Sequence, residues 1–163
     1  MSRQLADLET ILQQLITEHE KLLRQLEAQQ AAMKKLDVRA MEEASDQQQA
    51  TRLRIAALET RRQLVVNQLA TMLRIPAPVT LTRLAGAMPQ ARARLLELRD
   101  RLKDLTTRIS TKAHVSGRLA GAVLGHLNTA VRLLAGAVEQ AGLYTKHGVP
   151  QVSTRIGVME AVG

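Results

Sequence analysis

Four histidines, at positions 19, 114, 126 and 147, are the first residues to examine for chemistry. Imidazole can hold a metal or move a proton near neutral pH. A helical metal site needs two such ligands one turn apart, as in HExxH. No two of the four stand at that spacing, and no HExxH occurs. Cysteine is absent, which excludes disulfides, thiolate metal sites and thiol nucleophiles. The phosphate-cradling patterns GxxxxGK(S/T) and GxGxxG are also missing. Glu42, Glu43 and Asp46 sit near a helix start, where the helix dipole favours negative charge. No Ser/His/Asp set is specified. The residue types therefore predict no enzyme, no small-molecule substrate, no cofactor and no metal.

What the chain repeats is leucine at helical spacing. Leu5, Leu8, Leu12, Leu15, His19, Leu22 and Leu26 follow steps of three and four. That is the seam of a helix laid along other helices. Ser2 can cap this first helix, and Lys34 and Lys35 suit the negative end of its dipole. The spacing predicts a helix from about Arg3 to Lys35, roughly 50 Å long at 1.5 Å per residue. His19 lies on the seam, where a neutral ring can pack and find one polar partner.

A break is expected at Leu36-Asp37, with Asp37 capping a second helix and Leu36 and Met41 in staple positions. The second seam runs Met41, Ala44, Gln48, Thr51, Ile55, Leu58, Arg62, Val65, Leu69 and Met72, to about Arg74. Its first half is polar and its second half carries the packing. Arg62 can bury its stem and keep its head wet. Pro76 and Pro78 then break the helix. Thr80 to Ala87 reads as a short helix with Leu81 and Leu84 inward, and Pro89 as the first turn of a third long helix.

That third helix is predicted from Pro89 to about Ala141, on the order of 75 Å. Its seam begins with Leu95, Leu98, Leu102, Leu105 and Ile109, and falters at Lys112 to Gly117. A bend near His114–Gly117 is the alternative to a continuous rod. Leu119, Val123, Leu127, Val131, Leu134 and Val138 then form a strip with no evident partner in the chain. Gly117, Gly121 and Gly125 recur every four residues beside it. They predict either a ridge for close helix approach or a weak helix, since each costs about 1 kcal/mol against alanine. Gly142 is placed just past the helix end. Residues 143–163, with the single aromatic Tyr144, have little periodicity and are expected to be mobile.

The fold class is therefore all-α. It is an antiparallel bundle of three long helices with coiled-coil-like packing, one short connecting helix, and an extended third helix with a mobile C-terminal tail. No apolar stretch is long enough for a membrane span or a secretory signal, so the chain is expected to be cytoplasmic. Net charge is +8 and uneven. Residues 1–75 hold 11 Lys/Arg against 10 Asp/Glu, whereas residues 76–163 hold 12 against 5. The excess gathers at Arg83, Arg92, Arg94, Arg99, Arg101, Lys103, Arg108, Lys112 and Arg118. It reads as a solvated helix face, or as a contact for nucleic acid, an acidic membrane surface or an acidic protein partner. The absence of aromatics there argues against base stacking.

The order of features resembles the FlgN family of flagellar export chaperones. The residues that carry the resemblance are Leu58-Glu59-Thr60-Arg61 with Leu64, Thr80-Leu81-Thr82-Arg83-Leu84, and Tyr144-Thr145-Lys146-His147-Gly148. His114 to Leu119 departs from it, where family members often carry Asn-x-x-Asn before a leucine. The resemblance implies a chaperone domain over 1–142 and a tail over 143–163. It implies a protein that holds helical C-terminal segments of hook-associated proteins, the hook–filament junction subunits. Such a protein prevents their premature assembly and delivers them to the type III export gate. The strip Leu119–Val138 would receive the client helix, with Tyr144 contacting the client or the gate, or packing back on the bundle. Homo-oligomers through the same strip are a further expectation. Two other readings stay open: a self-assembling structural helical protein with no client, and a basic helical nucleic-acid binder.

Overall fold

A computed structural model describes residues 2–142, and the side-chain environments of residues 3–137 among them. The order is α1 (Ser2–Lys35), α2 (Val38–Leu73), α3 (Leu81–Ala87) and α4 (Arg92–Gly142), with no strand among the described residues. This is the all-α class and helix order that the leucine spacing predicts. The chain divides into two compact units, Met1–Ala120 and Gly121–Gly163.

In the first unit, polar caps and left-handed residues set the helix ends. The Asp37 carboxylate accepts from the Ala40 N–H at 3.0 Å and starts α2. Leu36 just before it adopts φ 56°. Its N–H donates to the Met33 carbonyl at 3.1 Å, and that of Asp37 donates to Ala32 at 3.0 Å. This double closure ends α1 with leucine where glycine is usual. Arg74, at φ 52°, ends α2 the same way, with Ile75 N–H reaching Ala70. Thr80 caps α3 through the Arg83 N–H at 3.2 Å. The Arg83 side chain donates back to the Pro76 and Pro78 carbonyls, so it pins the proline segment.

Cross-helix pairs give the directions. Glu18–Arg54, Gln25–Thr51 and Gln29–Gln48 step in opposite senses, so α2 runs antiparallel to α1. Glu20–Arg101, Glu27–Lys112 and Gln30–Ser116 step together, so α4 within this unit runs parallel to α1. The apolar core joins Leu8, Leu12 and Leu15 of α1 to Leu69 of α2, Leu84 of α3 and Leu95 and Leu98 of α4. Ile11, Ile16 and Leu23 widen the α1 stripe beyond the seam. Two neighbours on different sides demand a broader face than a two-helix seam. His19 is half-buried and its Nδ1 donates to the Leu15 carbonyl at 2.7 Å, a packed histidine with one partner.

Several expectations need correction. Ser2 is the first residue of α1 rather than its cap, and Gly142 lies within α4 rather than past its end. Met72 is half exposed rather than part of the seam. A straight helix drifts against a seven-residue repeat, and Leu73 and Ile75 pack on the core there instead. Pro89 is not in the first turn of the last long helix. Met88 and Ala91 are buried, and the chain turns between them, with Ala91 N–H donating to Met88. Helix α4 therefore starts at Arg92, and its last residue is Gly142. It is one uninterrupted helix through His114–Gly117, so the bend is not adopted.

Candidate functional site

The candidate strip lies on α4, where helical backbone runs on but charge gives out. Between Leu119 and Val138 the only charged residue is Arg132. Leu127 is 43% exposed, Val131 63% and Leu134 67%. Leu124, at 66%, belongs with them, because 124, 127, 131 and 134 follow steps of three, four and three along one side of the helix. The sequence reading passed over Leu124, although its step of three before Leu127 was the available signal. Leu119 is half-buried and Val123 only 8% exposed, so these two offer little free surface. Leu133, also exposed, points away from the strip on helical spacing. The Val138 side chain, Tyr144 and the segment 143–163 lie outside the described residues.

Gly117, Gly121 and Gly125 are all exposed, and a Cβ built on any of them meets nothing within 4 Å. No neighbour among the described residues uses the close approach that glycine allows. The Thr129 hydroxyl donates to the Gly125 carbonyl at 3.0 Å.

Part of the basic face pairs within the chain. Arg94 pairs with Glu97, Arg99 with Asp100, Arg101 with Glu20, Arg108 with Asp104 and Lys112 with Glu27. Arg83 donates to carbonyls. Arg92, Lys103 and Arg118 make no ion pair among the described residues. Such exposed pairs add little stability and leave a solvated helix face with a net positive charge.

Two carboxylates among the described residues are perturbed, Glu18 facing α2 and Glu59 on the surface of α2. Burial pushes Glu18 up, but hydrogen bonds and charge from Lys21 and Arg54 outweigh it and hold the carboxyl below its ordinary range. Hydrogen bonds from Arg62 hold Glu59 low, with burial opposing and the Arg62 and His19 charges adding. Both are structural ion pairs. A groove of about 720 Å³ along α1 is floored by Thr10, Gln13, Gln14 and Thr17. Both threonine hydroxyls donate to their own helix, to Ala6 and Gln13. Among the described residues no three His, Asp or Glu side chains converge, and no helix is long and apolar enough to cross a membrane.

Fold and surface together define the class: an all-α bundle whose last helix carries an exposed apolar face, with no cluster of metal-ligating side chains among the described residues. A family model described as FlgN protein matches residues 1–151. The chain belongs to the FlgN family, a family of flagellar export chaperones rather than enzymes. Searches of curated proteins and of solved structures each found no match.

Proposed function

We propose that this protein is a cytoplasmic export chaperone that holds the helical C-terminal segments of hook-associated proteins. It keeps them from assembling early and delivers them to the export gate. The observation that carries the reading is the exposed run Leu124, Leu127, Val131 and Leu134 on one side of α4. An amphipathic client helix laid on that run covers its own apolar face and the strip together, the helix-in-groove mode. Leu119 and Val123 precede the run on the helix. A contiguous exposed apolar face of this kind is uncommon on a protein that works alone.

The test is binding of purified full-length chain to hook-associated proteins of the same cell, with Leu127→Asp and Val131→Asp variants. A carboxylate in the contact should abolish client binding, because a buried unpaired charge is costly. Far-UV circular dichroism should show unchanged helix content. Normal binding by both variants sinks the siting. A stable oligomer that ignores hook-associated proteins favours a self-assembling structural protein instead.

A further inference from the structure

The core of the first unit changes character along its length. At one end, which we term the base, the apolar cluster runs through α1 only as far as Leu23, and through α4 only as far as Leu105. On α2 its fully buried part begins at Val65, with Ile55 and Leu58 of α2 and Ile109 of α4 half-buried against it. Every fully buried large side chain lies within that base, except Thr51. At the other end, the tip, α1 hands over to α2. There buried amides and hydroxyls join the few buried apolar residues, Leu26, Ala32, Met33 and Ala44, between the helices. Gln25 donates to the Thr51 hydroxyl at 3.0 Å. Gln48, itself buried, donates to the Gln29 side-chain oxygen at 2.9 Å. Gln30 reaches across to α4, donating to the Lys112 carbonyl and to buried Ser116, both at 3.0 Å. The network is incomplete, because the Gln25 Oε1 is buried with no partner.

We propose that the tip, residues 25–51 with the α4 stretch around Lys112–Ser116, opens as a cooperative section of its own while the base stays folded. The glutamine layer is the boundary. Hydrogen bonds between neutral groups exchange for bonds to water at small net cost, whereas buried leucines have no such substitute. The unpaired Gln25 oxygen is relieved by the same opening, since water reaches it. Regions with few buried apolar contacts are the ones that open first in a native protein. Opening uncovers Leu26, Met33 and Ala44, which are buried when the tip is closed.

Native-state hydrogen exchange on the full chain, followed across a urea series below the unfolding transition, tests this. Tip amides should exchange at least tenfold faster than those of Leu12–Ile16 and Val66–Ala70, through an opening that exposes only part of the surface. The double variant Gln25→Met with Thr51→Val replaces both partners by apolar groups of similar shape. It should slow tip exchange severalfold and leave the base rate unchanged. Arg54 loses one acceptor but keeps Glu18. A single exchange rate shared by tip and base overturns the proposal. So does a double variant that leaves the difference between them as it was.

Discussion

If the strip on α4 is covered by a client helix, the cost of trimming each residue should follow how much of it is exposed beforehand. Covering a whole valine or leucine side chain is worth about 1.5–3 kcal/mol. Only the part still exposed in the free protein can contribute on binding. Leu134 and Val131 are 67% and 63% exposed, so their share is about 1–2 kcal/mol each. Leu127, at 43%, has about 0.6–1.3 kcal/mol to give, and Val123, at 8%, has about 0.2 kcal/mol at most. In dissociation constant, alanine at 131 or 134 should weaken binding about 5- to 30-fold and at 127 about 3- to 9-fold. Alanine at 123 should be nearly silent. Titration calorimetry of each full-length variant against a client's C-terminal peptide measures the series. Helix content by circular dichroism controls for folding. A Val123→Ala variant that weakens binding as much as Leu134→Ala, with helix content unchanged, refutes the reasoning, because Val123 is already covered.

Three further outcomes are expected. Gly121→Ala and Gly125→Ala should each stabilise the helix by about 1 kcal/mol, since the added methyl meets open space, and helix content should rise. If either lowers client affinity, the client is what approaches that ridge closely. Leu36→Gly and Arg74→Gly should each raise urea-measured stability by about 1 kcal/mol, because both positions are left-handed, where a Cβ is strained. Glu18 and Glu59 both ionise below the ordinary carboxylate range when folded, so their stabilisation is present above that range and is lost as pH falls through the folded values. The urea midpoint should drop on acidification through that window, and a Glu18→Gln variant should show a shallower drop.

The spacing of apolar residues carried the helix order, because a seam must face a neighbour wherever it occurs. The α1 leucines and the polar first half of the α2 seam, Gln48 and Thr51, were readable for that reason. Both are buried. Ile11, Ile16 and Leu23 were missed because a single seam was assumed where α1 serves two neighbours. The start of α4 was misplaced because a proline compatible with a first helical turn is equally compatible with a turn before it. The Gln30–Ser116 contact spans 86 residues, and nothing in local pattern announces a pair that distant. The basic stretch illustrates the same point from the other side. Its partners Glu97, Asp100 and Asp104 were visible as neighbours, but Glu20 and Glu27 belong to it only through the fold.

The first unit closes its core on itself. The apolar faces of α1, α2 and α3, with the first part of α4, bury one another in a single cluster. At the tip Gln25 bonds Thr51, Gln48 bonds Gln29 and Gln30 bonds Ser116, beside the buried Leu26, Met33 and Ala44. Exposed leucines are tolerated singly, but Leu124, Leu127, Val131 and Leu134 stand together on one side of a helix. Burying them requires apolar surface that they do not meet among the described residues. A partner that brings its own apolar helix does supply it, and removing that partner should leave the strip as the first region of the protein to self-associate or bind nonspecifically.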